Sequence, residues 1–146
     1  MDSILPNFRK AGFPIIHVGH SFAKNVEASS GRFYIRTCED LGDLIATKKT
    51  KSAFNEDNKE FQNNLEDILK NKNINKLIIA GVCTNYCVEA AVLDALSKKF
   101  NVCVLEDLVA NAQNNEPVGT GNFQNMQKAG AFICDSSDFL PLLQVA

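Results

Sequence analysis

The feature that most constrains this chain is the run "KLIIAGV" at 76–82, followed without a break by "TNYCVEAAVLDALSKKF". The first is a short continuous apolar run, the pattern of a strand buried on both faces. In the second, Val88, Ala91, Val92, Ala95 and Leu96 fall on one helical stripe. Lys98 and Lys99 close it, at the end where cations suit the helix dipole. A second strand-like run, "NVCVLED" at 101–107, comes next. Strand, helix and strand in that order predict a βαβ unit with parallel strands.

The rest of the chain extends this pattern. "PIIHVGH", preceded by Gly12, "LIATKK" at 44–49 and "AFICD" at 131–135 read as further strands. "EDNKEFQNNLEDILKN" reads as a helix with Phe61, Leu65, Ile68 and Leu69 on one stripe and acids in its first turn. "GNFQNMQKAG" at 121–130 reads as a helix with Gly130 just past its end. Residues 21–43 are less regular and read as a long connection that forms part of a pocket wall. The expected fold is a three-layer α/β/α sandwich around a mainly parallel, Rossmann-like sheet, with residues 1–146 as one domain.

Composition narrows the function classes. Hydrophobic residues make up 45% and charged residues 22%, as in a soluble globular protein. The net charge is −2 with no basic block, which speaks against nucleic acid or an anionic membrane as partner. No apolar run is long enough to span a bilayer, and "MDSILPNFRKAG" lacks the pattern of a signal peptide. The five cysteines, at 38, 83, 87, 103 and 134, are odd in number, and three lie in apolar strand-like runs. That predicts a reduced, cytoplasmic chain with buried thiols.

The chemistry concentrates in "AGVCTNYCV" at 80–88. Open parallel sheets bind ligands at the carboxyl ends of their strands. Thr84 is a good N-cap for the helix after the strand, which places Cys87 at its third position. There a sulfur meets unpaired backbone N–H groups and the positive end of the dipole. Cys83 precedes the cap and lacks that geometry. Buried cysteine is also a common small core residue, but strand end, cap and position together favour a reactive Cys87. The C-x-x-x-C spacing disfavours a redox pair. Zinc would need two more ligands, and a three-residue step along a strand points His17 and His20 to opposite faces. A nucleophilic thiolate also wants a nearby cation. Lys48, Lys49 and Lys51 lie near the end of the second strand, although lysines there are ordinarily just solvated.

These residues resemble the signature region of the isochorismatase-like cysteine hydrolases. The pattern there is an apolar strand, Gly-Val-x-Thr-x-x-Cys-Val, a helix with an Asp-Ala pair, and a strand ending in Asp. It is met by Gly81, Val82, Thr84, Cys87, Val88, Asp94, Ala95 and Asp107. "KKTKSAF" resembles the family's Lys-x-x-x-Ser-Ala-Phe segment, and "RKAGFPIIHVGH" the stretch leading into its second strand. The resemblance covers nearly the whole chain. It implies Cys87 as nucleophile and Lys48 as the lysine that stabilises the thiolate and the developing charge. It implies a cis peptide at Val82–Cys83 and an oxyanion hole from the amides of Cys83 and Cys87. Phe54, His20 and Tyr86 are implied as pocket residues. The implied reaction is hydrolysis of a small-molecule amide through a thioester, with no cofactor and in a homo-oligomer.

The chain departs from the family in one respect. The family's catalytic aspartate ends a first, central strand of a sheet ordered 3-2-1-4-5-6, and no residue here matches it. Asp2 lies too close to Gly12, on what reads as helix. The expectation is a missing first strand, leaving a gap between "PIIHVGH" and "KLIIAGV". Three readings follow: a shortened version of an ordinary hydrolase, a strand supplied by another chain or fragment, or a rearranged sheet in a catalytically inactive relative acting as an oligomeric or protein-binding module. Hydrolysis of a vinyl ether on the same scaffold is a further alternative. The metal-dependent branch, typified by nicotinamidases, carries an Asp-x-His pair and another His. Neither His17 nor His20 reproduces it, so no metal and no nicotinamidase activity are expected.

Overall fold

The computed structural model of the chain describes residues 4–20, 42–57, 64–111 and 120–143. The chain enters through α1 (Leu5–Lys10), which has a proline in its first turn and Arg9 and Lys10 in its last. Strands β1 (Ile16–His20) and β2 (Leu44–Lys48) pair in parallel, with Ile16 opposite Leu44 and His20 opposite Lys48. The connection between them lies outside the described residues up to Gly42, and with it the expected pocket wall at 21–43.

Helix α2 (Leu65–Asn71) is shorter than the sequence pattern implied. Asn64 is the reason. Its backbone is extended, and its side chain accepts from the Asp67 amide at 3.0 Å, so the helix starts there. The acids of the first turn are accordingly Glu66 and Asp67. Strand β3 (Lys76–Val82) leads through a turn into α3 (Glu89–Ser97) and β4 (Asn101–Ala110). Helix α4 (Thr120–Lys128), β5 (Phe132–Cys134) and α5 (Ser136–Leu143) complete the chain. Gly130, at φ +109°, closes α4 as expected. The amides of Gly130 and Ala131 turn back to the carbonyls of Gln127 and Met126, which a residue with a Cβ would hold only under strain.

Two apolar layers cover the strands. On one face Leu65 and Leu69 of α2, Val92 and Ala95 of α3, and Met126 of α4 pack on Ala46, Val102, Val104 and Val109. On the other, Ile4 and Phe8 meet Leu105, with Leu108, Cys134 and Phe139 around them. This is the α/β/α sandwich, with every described strand pair parallel.

Among the described residues the sheet is in two pieces, β1-β2 and β3-β4-β5, and β1 and β3 do not pair with each other. The burial of β3 differs from the expectation. Strand β3 was expected to be buried on both faces, but its burial alternates, with Ile78 36% and Val82 66% exposed. A strand paired on one edge and covered on one face shows the period-two pattern of a half-buried strand.

Candidate active site

The site lies where β3 ends. Gly81 has φ +136°, a conformation that side chains disfavour. It sits at a register shift: Ile79 is opposite Val104, but Gly81 is opposite Val109. The partner strand thus bulges while β3 runs on. The bulge brings Asn111 beside the next turn, where its Oδ1 accepts from the Asn85 amide at 3.3 Å. The Val82–Cys83 peptide is cis.

The helix start differs from the sequence expectation. The cap is Cys83, extended at φ −96° and ψ 138°, and Thr84–Val88 form one π-helical turn before α3. The Cys83 carbonyl accepts from both Tyr86, at 3.2 Å, and Val88, at 3.0 Å. A single acceptor serving amides three and five residues on widens the turn, and such π turns recur at functional sites. Cys87 is therefore the fourth residue of the turn, not the third residue of an α-helix. Thr84 does not cap. Its side chain is fully buried, and its hydroxyl has no hydrogen-bond partner among the described residues.

Lys48 ends β2 and is 7% exposed, so it is not the solvated lysine that composition alone would predict. Its Nζ donates to the Lys51 carbonyl at 2.6 Å. The intervening loop is tied by Thr50 Oγ1 donating to the Ser52 carbonyl and by the Phe54 amide donating to Ser52 Oγ. Lys51 Nζ then lies 4.1 Å from the centroid of the Tyr86 ring, and Tyr86 precedes Cys87. Through these contacts the loop after β2 reaches the turn after β3. Among the described residues no carboxylate pairs with Lys48 or Cys87.

The other expected site residues divide. Cys83 and Cys87 are both partly buried free thiols, and Tyr86 is half exposed. Phe54 is 3% exposed and packs in the core with its ring 5.6 Å from Phe100. The side chain of His20 lies outside the described residues. Asp107 accepts from the amide and hydroxyl of Ser136 and so caps α5.

Two groups escaped the sequence reading. Glu89 accepts from Asn122 at 2.8 Å and Asn125 at 3.1 Å, fastening α4 to the first turn of α3. At the amino ends of β1 and β2, Asp43 accepts from Arg9 Nε at 2.9 Å and Arg9 Nη2 at 2.6 Å. His17 Nε2 lies 2.7 Å from the same carboxylate. The Arg9 hydrogen bond, opposed by burial and aided by His17, holds the Asp43 carboxyl below the usual range. A cavity of about 330 Å³ lies there, lined by Arg9, Phe13, Asp43, Leu44 and Lys72. Its carboxylate is engaged by Arg9 and His17, and Cys83 and Cys87 lie past the carboxyl end of β3. Among the described residues no group of His, Cys, Asp and Glu side chains is arranged to hold a metal ion, and no helix is long and apolar enough to cross a membrane.

Known proteins share this fold. A hydrolase of the isochorismatase family from Chromobacterium violaceum superposes with a TM-score of 0.73 at 24% identity, over 99% of this chain and 79% of that one. A nicotinamidase from Bacillus subtilis superposes with a TM-score of 0.65 at 18% identity, over 91% of this chain and 81% of that one. In sequence, the chain is 34% identical to a nicotinamidase from Escherichia coli over 89 residues, 60% of this chain and 41% of that protein. It is 25% identical to a ureidoacrylate amidohydrolase from Agrobacterium fabrum over 105 residues, 72% of this chain and 43% of that protein. The chain thus spans about two fifths of the length of these two relatives. The isochorismatase domain model matches residues 2–138, and the chain belongs to the isochorismatase domain family.

Proposed function

We propose that this protein is a cysteine hydrolase that cleaves the C–N bond of a small-molecule amide. The observation that carries the reading is the joining of the Lys48 loop to the Cys87 turn through Lys51 and Tyr86. In this reading the Cys87 sulfur attacks the amide carbonyl, and the amides of Cys83 and Cys87 receive the developing oxyanion. The Lys48 ammonium, held at the loop, stabilises the negative charge. Collapse of the tetrahedral intermediate expels ammonia or an amine and leaves a thioester on Cys87, which water hydrolyses to the acid. The leaving amine and the attacking water both need a proton carrier. A strand ending in an acid and pairing with the edges of β1 and β3 that have no partner among the described residues is our candidate source. The similarity to a nicotinamidase and a ureidoacrylate amidohydrolase sets two amide classes to test first, an aromatic carboxamide and a ureido compound.

The direct test is alkylation with iodoacetamide at neutral pH, read by peptide mass spectrometry. Cys87 is expected to label well before Cys83, Cys103 and Cys134. Cys103 is expected to be among the slowest, because burial, and then its hydrogen bond with Cys134, push its thiol up to about 12. Labelling of Cys87 no faster than the others removes it as nucleophile. The same alkylation on Lys48→Ala is expected to slow at Cys87, and an unchanged rate takes Lys48 out of the site.

A second reading rests on the apolar side chains left at the surface. Val18 is 39% and Phe132 77% exposed, alongside Ile78 and Val82. They suit a non-catalytic module that buries such side chains in an oligomer or against a protein. A monomer in sedimentation that turns over an amide decides against it.

A further inference from the structure

The described cysteines fall into two pairs. Cys83 and Cys87 belong to the turn after β3, and the reaction proposed above draws on both. Cys103 and Cys134 lie on neighbouring strands, and that reaction uses neither. In the β4–β5 pairing Cys103 is opposite Phe132, and Leu105 is opposite Cys134. Cys103 and Leu105 share one face of β4, because side chains alternate along a strand. Cys134 packs on that same face, beside Leu105 and Phe139. Both sulfurs turn to one oxygen between the strands. The Cys103 thiol donates to the Val104 carbonyl at 4.0 Å, and the Cys134 thiol donates to it at 3.9 Å. The two thiols are also hydrogen-bonded to each other. Neither is sealed from water: both are only partly buried, and β5 is an edge of the described sheet.

A disulfide is the first chemistry such a pair suggests, and the register argues against it. The two residues are diagonal, one strand across and two residues along. Strand spacing and rise put the Cα atoms of a diagonal pair about 8 Å apart. Disulfides need them within roughly 7 Å, so the backbone would have to move. A single atom bonded to both sulfurs relaxes that demand. With bonds of about 2.3 Å and a tetrahedral angle, the sulfurs stay roughly 4 Å apart. Among the described residues no third His, Cys, Asp or Glu completes a metal cage around them. The bridging atom therefore has to bring its remaining substituent with it.

The charge state of the thiols narrows the chemistry further. Burial, then the hydrogen bond with Cys134, push the Cys103 thiol up to about 12. It stays protonated at neutral pH, so reagents that need a thiolate meet it slowly. A reagent that bonds both sulfurs and carries off both protons leaves no charge behind. We propose that Cys103 and Cys134 form a dithiol binding site, separate from the Cys87 turn, whose ligand class is a trivalent organoarsenical bridging both sulfurs. The arsenic–oxygen bond of the arsenical and the two S–H bonds break, and two As–S bonds form. The oxygen leaves with both protons as water, and arsenic stays trivalent. The organic group is the substituent that the protein does not supply. The product staples β4 to β5.

The test adds phenylarsine oxide, in equimolar amount, to the full chain and reads intact mass and tryptic peptides. Cleavage after Lys76, Lys98, Lys99 and Lys128 leaves Cys83 and Cys87 on one peptide but Cys103 and Cys134 on two, 100–128 and 129–146. The expected product is a phenylarsenic bridge joining 100–128 to 129–146. It is expected to survive excess glutathione, a monothiol, and to be removed by 2,3-dimercaptopropanol, a dithiol. Cys103→Ala and Cys134→Ala should each weaken retention of the arsenical at least tenfold, and Cys87→Ala should leave it within twofold. Unfolding in guanidinium before the arsenical is added should move the bridge to Cys83 and Cys87, which are close along the chain. A bridge confined to the Cys83–Cys87 peptide of the folded protein overturns the proposal, as does retention unchanged in either Cys103→Ala or Cys134→Ala. A bridge that joins the same two peptides equally well in the unfolded chain also overturns it, because the fold would then not make the site. So does a disulfide between those peptides, formed with hydrogen peroxide, in a chain that takes up no arsenical.

Discussion

The two ends of the strands are built differently. At the amino ends, Asp43 is 4% exposed in its side chain and is met by a two-pronged guanidinium and by an imidazole. That cluster ties α1, β1 and the approach to β2 into one unit. At the carboxyl ends, a buried threonine hydroxyl has no partner among the described residues, and a buried lysine leans on a backbone carbonyl. The second lysine rests on a ring. Saturated charge fixes structure, because every group already has the partner that repays its desolvation. Unsaturated polar groups beside a thiol leave interactions for a ligand to complete. Mutations at the two ends should therefore separate into stability effects and activity effects.

The largest effect is expected at the sulfur. Cys87→Ala should abolish amide hydrolysis, by about a thousandfold or more, since covalent catalysis has no substitute nucleophile there. Its melting temperature should stay near that of the wild type, because the side chain is small and only partly buried. A melting drop as large as that of the core variant Leu69→Ala would make Cys87 a packing residue and erase the contrast. Next comes Lys48→Met, expected to lower kcat about a hundredfold, the size of losing one preorganised stabiliser of developing charge. Methionine roughly keeps the volume of the stem, so a loss of turnover without a loss of melting temperature assigns the effect to charge.

The ease of reading these two ends from sequence was unequal. The βαβ unit was legible because "KLIIAGV" carries its own length and composition, and Lys76–Val82 is the strand observed. The position of Cys87 just past that strand was legible, because a strand end followed by a helix places it. The π turn was not. Whether Cys83 or Thr84 caps depends on two amides converging on one carbonyl, which no residue pattern encodes. The start of α2 at Asn64 was missed because a continuous apolar stripe outweighed a capping side chain in the reading. The Arg9–Asp43–His17 cluster joins residues up to 34 apart, and nothing in their local sequence announces the meeting. The exposed face of β3 depends on what pairs with its edge, which its own composition cannot state.

The reciprocal mutation belongs at the amino ends. Asp43→Asn keeps one acceptor but removes the charge beneath Arg9, and is expected to destabilise by about 2 kcal/mol. Catalytic rate per folded molecule should not change, since the cluster lies away from the thiol. The pH dependence gives a sharper reading. The Arg9 hydrogen bond lowers the folded pKa of Asp43 below its unfolded value. Its stabilisation is therefore complete above the unfolded value, near ~4, and is lost as pH falls through the folded one. The gap between wild type and Asp43→Asn in denaturant melts should hold from neutral pH down to about 5 and close in stronger acid. A gap that widens with acid would mean that Asp43 stabilises by some other route.

The smallest effect tests whether saturation is general outside the site. Glu66 has a side chain 11% exposed and holds Lys70 at 2.8 Å and Lys98 at 3.0 Å, which joins α2 to the end of α3. The Lys70 hydrogen bond, ahead of that from Lys98 and against burial, lowers its pKa. Glu66→Gln should nevertheless cost only about 1 kcal/mol, for two reasons. Lys70 is 63% exposed, so water and salt screen that pair. Lys98 also has Glu56 at 3.6 Å, and can lean toward it when Glu66 is neutral. The double variant Glu56→Gln, Glu66→Gln should then lose more than the sum of the singles, by a few tenths of a kcal/mol. Strict additivity would show that Glu56 gives no relief. The contrast between saturated and unsaturated groups would then rest on Asp43 alone.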